Sequence, residues 1–352
     1  MKSNPLVSII IVNWNGGTIF KDCLTSLSKL DYKKWELILV DNGSTDNSQF
    51  LIDNFSFPAG SARLIQNKEN KGFAPANNQG YKKAKGKYIL LLNNDTKVTP
   101  EFLTLLIERA ESDEQIGVIQ PKIYLMDTKK CLDNAGSFIT RIGFLSHWGF
   151  MQKDSDEFAK EREIFSAKGA CMLIRKSIVD KIGLFDDDFV SYFEESDFCW
   201  RVWIYGYKVL FFPNAFIYHK LGYTIKRQNV LNLNFHYYKN RILSQIKNLE
   251  FKNLIFILGI HLIISLGIAT VFLARFQFGP SAMIVGAIIW NVRNIPKSVS
   301  KRRKIKEFRK SGDKEIFSRV STIVDWAKFF RDFKRVENDI KTPIAIKSAV
   351  RR

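Results

Sequence analysis

Between Val7 and Thr96, short apolar runs alternate with stretches of helical spacing. Val7–Trp14 (VSIIIVNW) is rich in β-branched residues and reads as a fully buried strand. Asn15, Gly16 and Gly17 break it, and Ile19–Leu30 follow with helical periodicity. Trp35–Val40 predicts a second strand, ending in the polar turn Asp41–Ser48 (DNGSTDNS), whose side chains suit capping of a following helix. Ala62–Gln66 is a weaker third strand, and Asn70–Gly80 (NKGFAPANNQG) opens a helix running to Ala84. Tyr88–Leu92 is the fourth strand, too short for a helix, and it stops at Asn93, Asn94 and Asp95. Strand and helix alternating at this spacing predict a doubly wound α/β domain with a mostly parallel sheet. In such sheets ligands bind at the C-terminal strand tips, where these polar clusters fall.

Past Pro100 a helix is expected to about Ala110, then a strand at Ile116–Ile123. Asp127–Glu163 reads as irregular and aromatic. Regular pattern returns at Phe165–Ile174 (FSAKGACMLI) and a short helix at Arg175–Ile182. Glu194, Glu195 and Asp197 stand at the start of a helix that turns Cys199, Trp200, Val202, Trp203 and Ile204 inward. A strand at Val209–Phe212 and the segment Asn214–Thr224 (NAFIYHKLGYT) close this part.

The last third changes character. Leu254–Ala274 is apolar over 21 residues, with His261 as its one ionisable group. At the helical rise this is roughly 30 Å, a bilayer's apolar thickness. Gly279 and Pro280 signal a turn, and Ala282–Val292 is apolar but spans only about 17 Å as a helix. Arg293–Lys310 then carries nine lysines and arginines. Ile316, Val320, Ile323, Ala327, Phe330 and Phe333 recur at helical spacing opposite basic residues, as in a helix lying on anionic lipid. Packing of that helix on the soluble domain is the simpler alternative.

Charge sharpens this division. Of the 54 lysines and arginines and 35 acids, 28 and 27 precede Lys226, whereas 26 and 8 follow from there. A balanced domain over residues 1–225 is thus followed by a basic, apolar, membrane-associated helical region, 226–310, and an amphipathic basic tail, 311–352. No RNA-binding signature accompanies the charge, so lipid rather than nucleic acid is the expected partner. The four cysteines lack CxxC spacing, which argues against a zinc site or a disulfide framework and fits a reducing compartment. The N-terminal apolar run has no cleavage-site pattern, so the domain is expected on the cytosolic side. The basic run after Val292 is expected there too. Membrane crossings should then be even in number, as in a tilted or re-entrant hairpin.

No GxGxxG or GxxxxGK[ST] follows any strand, which excludes the usual dinucleotide and P-loop sites. The ordered motifs VSIIIVNWN, DNGSTDNS, NKGFAPANN, LLLNNDT, KGACMLIRK and YFEESDFCWR instead resemble the family 2 glycosyltransferases of GT-A fold. The likeness is to rhamnosyltransferase-like, membrane-associated members of bacteria and archaea. It covers Leu6 to about Thr224 and extends loosely to HYYKNRI at His236.

The resemblance implies a nucleotide-sugar donor and a divalent cation, Mn²⁺ or Mg²⁺, bridging its diphosphate. Asp95 resembles the second acid of the family's DxD motif. Asn93 takes the first position without a charge, and His219 resembles the family's late histidine near the metal. Asn13, Asp41, Lys71, Asn77 and Asn94 fall on the nucleotide-sugar side, and Gly169 and Ala170 on the acceptor side. The family's base is the second acid of an ED pair. Here the pair is Glu194–Glu195, so Glu195 takes that position, and Asp197 is the second candidate. Three crowded carboxylates should raise one pKa into the range of a neutral-pH base.

The implied activity is a metal-dependent, inverting hexosyl transfer to a hydroxyl of a lipid-linked glycan in cell-surface polysaccharide synthesis, at the cytoplasmic face of the cell membrane. A polyprenyl-phosphate sugar synthase is the alternative within the class, and a non-catalytic membrane scaffold the alternative outside it.

Overall fold

A computed structural model describes residues 4–48, 51, 62–128, 130–221 and 230–326, with side chains from residue 234 in the last stretch. Strand β1 (Val7–Asn13) is fully buried except at Val12. Helix α1 (Gly17–Leu27) follows and buries Ile19, Phe20, Cys23, Leu24 and Leu27. Strands β2 (Trp35–Asn42) and β3 (Ala62–Asn67) come next, then helix α2 (Phe73–Tyr81), β4 (Tyr88–Leu92) and the short β5 (Thr96–Val98). Helix α3 (Phe102–Glu111) leads into β6 (Ile116–Leu125). All five residues of β4 are buried, as expected for a strand covered on both faces.

Asp127–Glu163, expected to be irregular, contains β7 (Leu132–Asn134), β8 (Ser137–Thr140), β9 (Leu145–His147) and β10 (Arg162–Glu163). Each has two to four residues, too few for period-2 alternation to register. After them come β11 (Cys171–Arg175), helix α4 (Lys176–Ile182) and helix α5 (Glu194–Ile204). The expected strand at Val209–Phe212 and the segment after it form one long strand, β12 (Lys208–His219), with a register shift between Phe212 and Phe216. Residues 222–224 of that segment lie outside the described residues.

The main sheet runs β10-β12-β6-β11-β4-β1-β2-β3. Neighbours β4-β1-β2-β3 are parallel, as are β12 and β6. Strand β11 enters antiparallel between β4 and β6. This is the mostly parallel α/β sheet that the sequence pattern predicts.

The C-terminal third is helical. Helix α6 (Val230–Asn248) precedes α7, a continuous helix from Phe251 to Ala274 that contains a π-helical turn at Leu254–Leu258. Helix α8 (Phe278–Arg293) turns back against it, followed by α9 (Ile295–Phe308), α10 (Asp313–Val320) and the two-residue β13 (Ser321–Thr322). Among the described residues, α7 is the one helix long and apolar enough to cross a membrane.

In Arg293–Lys310, Lys297 pairs with Asp188 at 2.5 Å, and Lys301 bridges Asp186 and Asp188. Two expectations for this third are corrected. The amphipathic helix ends at Val320, and its Ile316 and Val320 are buried in the core, so it packs on the soluble domain rather than on lipid. Ile323 is 89% exposed beyond it, and Ala327, Phe330 and Phe333 lie outside the described residues. Helix α6, assigned to the appendage, is bound to the catalytic part through Asp197, which a charge count could not register.

Candidate active site

Strands β1, β2 and β4 end side by side, so their polar tips converge. Asn13 pairs with Asp41 in the β1–β2 register. Asn94 Nδ2 donates to Asn13 Oδ1 at 2.7 Å, and Asn13 Nδ2 donates to Asp41 Oδ1 at 3.3 Å and Ser44 Oγ at 3.1 Å. Ser44 Oγ also donates to Asp41 Oδ1, at 2.5 Å. Asp41 thus ties the turn to β1, and Asp46 accepts the local bond from Ser48 N. Gly16 backs this cluster: a Cβ there would lie 2.4 Å from Asn13 Oδ1 and 2.7 Å from Asn94 Nδ2. Three of the five residues expected on the nucleotide-sugar side therefore form one hydrogen-bonded row. Of the other two, Lys71 is exposed and its backbone N–H donates to Asn42 Oδ1. Asn77 is buried, and its amide donates back to Phe73 O at 2.9 Å within α2.

Asp95 follows at the tip of β4. In the β12–β5 register His219 stands opposite Thr96, which brings its ring to Asp95. His219 Nε2 is 3.1 Å from Asp95 Oδ1, and Nδ1 is 2.8 Å from Asp133 Oδ2. Lys168 Nζ completes the row, 2.7 Å from Asp133 Oδ1. Burial opposes a charge on His219, but Asp95 and Asp133 outweigh it and push its pKa up to about 9. Asp133 is held well below the usual carboxylate range: burial alone would raise it, but Lys168 and His219 dominate. Asp95 Oδ1 is buried, and the His219 ring at 3.1 Å is the group that faces it. A carboxylate oxygen beside an imidazole nitrogen, whose partner nitrogen is fixed by a second carboxylate, is a donor set that suits a divalent cation in exchange for the ring proton. Asn93 is half-buried beside them, its N–H donating to Ala170 O at 3.0 Å.

That last bond leads to the loop expected on the acceptor side. Cys171 pairs with Leu92 in the β11–β4 register, so the loop before β11 lies against the tip of β4. A Cβ on Gly169 would sit 3.9 Å from Glu195 Cβ and 3.6 Å from the Phe73 ring. Glu195 is half-buried, and desolvation pushes its pKa up to about 7, against the opposing pull of a backbone hydrogen bond and Lys168. Glu194 is buried, with Oε2 unpartnered, and burial plus the neighbouring Glu195 charge raise it well above the usual range. Crowding is expected to raise one of these three carboxylates; two rise.

Asp197 does not, and its candidacy as base is corrected. It is fully buried and receives Arg201 Nε at 3.0 Å, Lys247 Nζ at 3.1 Å, Ser244 Oγ at 2.9 Å and Asn248 Nδ2 at 2.8 Å. Lys247 and Arg201 hold it low against the effect of burial. It joins α5 to α6 and has no open lone pair for a substrate.

Helix α5, which carries Glu195, begins from a strained turn. Val190, Tyr192 and Phe193 all have positive φ, at 53°, 70° and 70°. Asn240 of α6 holds this turn by donating to Phe189 O, Ser191 O and Tyr192 O at 2.9, 2.9 and 2.6 Å. On the other side Ala74 N donates to Val190 O, and Gly72, at φ 91°, leaves no room for a Cβ against Val190. Asp133, Lys168 and Asn240 are the residues that motif reading missed. For Asn240 a signal existed: Asn240, Ser244, Lys247 and Asn248 form a polar stripe at helical spacing on one face of α6. Asp133 lies in short strands with no pattern to mark it.

The model of one family, described as glycosyl transferase family 2, matches residues 8–183, half of the chain. The chain belongs to glycosyl transferase family 2. Its fold is the GT-A fold. Over 213 residues it is 26% identical to the poly-beta-1,6-N-acetyl-D-glucosamine synthase of Staphylococcus aureus strain COL, covering 59% of this chain and 48% of that protein. The Staphylococcus epidermidis synthase is 23% identical over 219 residues, covering 62% and 51%. The chain therefore spans about half the length of the curated relatives it matches. Two solved structures share its fold. One is the mannosyltransferase PcManGT of Pyrobaculum calidifontis in complex with GDP-Man and Mn²⁺, at TM-score 0.53 and 14% identity, covering 87% of this chain and 86% of that one. The other is Staphylococcus aureus TarS 1–349 in complex with UDP-GlcNAc, at TM-score 0.56 and 15% identity, covering 86% and 89%.

Proposed function

We propose that this glycosyltransferase moves a sugar from a nucleotide-sugar donor to a hydroxyl of a lipid-linked glycan, with inversion, using Glu195 as base. The observation that carries the reading is the approach of two carboxylate-bearing segments to one loop. Asn93, two residues before Asp95, donates its N–H to Ala170 O, and a Cβ on the adjoining Gly169 would meet Glu195 Cβ at 3.9 Å.

The row Asn94–Asn13–Asp41 would receive the nucleoside, and Lys71 and Asn77 lie on the adjoining segment. Asp95 and His219 Nε2 would hold a divalent cation, with Asn93 beside them. That is too few protein ligands for a closed site, which fits a cation completed by the donor's own diphosphate. Bound there, the cation would neutralise charge on the leaving diphosphate. Asp133 keeps the His219 ring turned so that Nε2 faces Asp95. In the reaction the acceptor oxygen bonds to the anomeric carbon as its proton passes to Glu195. The bond from that carbon to the phosphate oxygen breaks, and the nucleoside diphosphate leaves with the electron pair. Burial and the neighbouring Glu195 charge favour the neutral form of Glu194.

Membrane attachment is supported by α7 and α8. Their inward faces carry His261, Ser265, Asn291 and Ser281, whereas Ile263, Leu266, Leu273, Ile289 and Val292 are exposed. These polar groups lie among the inward Ala269, Phe272, Ile284 and Ala287, while large apolar side chains face outward, an arrangement that suits lipid. The region would hold the cleft at the cytoplasmic surface of the membrane, near a lipid-linked acceptor.

The test is Glu195→Gln. We expect kcat to fall by about 10²–10⁴ with nucleotide affinity within twofold of the parent. Unchanged kcat refutes the assignment of the base, and full activity in excess chelator refutes the cation.

A further inference from the structure

The described residues bury five lysines and arginines: Lys122, Arg201, Lys239, Arg241 and Lys247. Four of them meet oxygen. Lys122 reaches Asp154, Arg201 reaches Asp197 and three carbonyls, Lys239 reaches Asp188 O, and Lys247 reaches Asp186 and Asp197. Arg241 meets none among the described residues. It is 1% exposed, its Nε has no acceptor, and its guanidinium is surrounded by rings. The Tyr237 ring centre is 3.9 Å away, Phe144 4.5 Å and Phe193 5.9 Å.

Rings offset part of the cost of burying a cation, but they use none of its five N–H donors for a strong bond. A buried guanidinium without an oxyanion is a site one partner short. Two further buried atoms nearby are unpartnered, Gln245 Oε1 and His261 Nε2. Both side chains are held by the turn that carries Phe144. Gln245 Nε2 donates to Gly143 O at 3.2 Å, His261 Nδ1 lies 3.3 Å from Ile142 O, and the His261 ring packs on Phe144 at 4.4 Å.

The position is informative. Phe193 immediately precedes Glu194 and Glu195 at the start of α5. His261 belongs to α7, whose opposite face is apolar and exposed. Arg241 thus lies between the candidate base and the lipid-facing helices, away from the row that ends at Asp95.

We propose that Arg241 is the anchor of a second anion site, which takes the phosphate or diphosphate ester of the acceptor. The guanidinium fork matches two phosphate oxygens at once. Gln245 Oε1 and His261 Nε2 are acceptors, suited to hydroxyls on the sugar that such an ester carries. This assignment rests on the reading of a lipid-linked acceptor given above, and it adds the group by which the protein grips that acceptor.

The experiment uses the full chain in detergent micelles with three probes: farnesyl diphosphate, farnesol and inorganic pyrophosphate. Thermal unfolding with excess UDP present reads binding outside the donor site. Farnesyl diphosphate is expected to raise the unfolding temperature by several degrees more than farnesol or pyrophosphate, and Arg241→Gln to weaken it at least tenfold with UDP affinity unchanged. Equal binding by Arg241→Gln overturns the site. So does loss of the effect when UDP is added, since the anion would then occupy the donor site, and so does equal protection by farnesol. If Arg241→Gln fails to fold, Arg241→Lys keeps the charge without the fork and must also bind more weakly; parent-like affinity overturns the proposal. Transfer to lipid-linked acceptor that is indifferent to Arg241 removes the site and leaves the acceptor reading. Arg241-dependent diphosphate binding by an enzyme that glycosylates only lipid-free acceptors does the reverse.

Discussion

Asp133 Oδ2 lies 2.8 Å from His219 Nδ1, fixing which ring nitrogen is left for Asp95. A carboxylate behind a histidine orients the ring and raises its basicity. Asp133→Asn keeps the size of the side chain and removes its charge. Apparent affinity for Mn²⁺, measured by titrating activity in metal-depleted enzyme, should fall about 10–100-fold. Asp95→Ala should abolish transfer outright.

The pH profile of kcat should report Glu195. In the proposed role of base, its carboxyl, raised to about 7 by burial, has to be ionised to take the acceptor's proton. The rate should therefore climb as pH rises through about 7 and level off above it. Lys168 lowers that pKa, so Lys168→Met should move the midpoint to higher pH. A profile that stays flat from pH 5 to 9, values chosen about two units either side of that pKa, excludes Glu195 as base.

Asp197 is structural, and its loss should show as instability. Asp197→Ala leaves Arg201 and Lys247 buried beside an empty site, a loss of about 3–5 kcal/mol by denaturant unfolding. Asp197 and Asp186 are both held below the ordinary carboxylate range, by Lys247 with Arg201 and with Lys301 respectively, against the effect of burial. A lowered folded-state pKa contributes stability that is present above the unfolded value, near 4, and lost as pH falls towards the folded value. Acid unfolding of the parent should therefore begin below about pH 4, and Asp197→Ala should flatten that dependence.

Phe276 and Phe278, 81% and 62% exposed at the α7–α8 turn, should carry membrane affinity. Replacing both with serine is expected to lower partitioning onto anionic vesicles by at least tenfold, at about 1.5–3 kcal/mol for each buried phenylalanine. Secondary structure and nucleotide binding should be unaffected. This pair is a better test than truncation after Asn248, which would strip Ile305, Ile316 and Val320 from the core.

The fold was legible where the chain repeats one physical unit. Val7–Val12, Trp35–Val40 and Tyr88–Leu92 are nearly continuous apolar runs because a strand covered on both faces has no polar side to show, and the two interruptions, Ser8 and Glu36, bond each other at 2.6 Å. Their polar ends mark a ligand edge because every parallel strand delivers its C-terminal tip to the same side. For the same local reason Asp95 and Asp41 could be singled out by position along the chain, whereas Glu195 stood out only through its resemblance to the family's ED pair. What only tertiary structure decided is which charges meet. Asp197 stands two residues from Glu195 on one helix, yet a step of about 200° around the axis turns it to Lys247 and Ser244 instead of the cleft. Asp133 reaches His219 from 86 residues away, through strands too short to leave a pattern. The basic third reads as an appendage by charge, but Lys247, Lys297 and Lys301 have their counter-charges on Asp186, Asp188 and Asp197, in the part of the chain where positive and negative residues balance. Charge sums are properties of composition, whereas ion pairs are properties of distance, and only the folded chain sets distance.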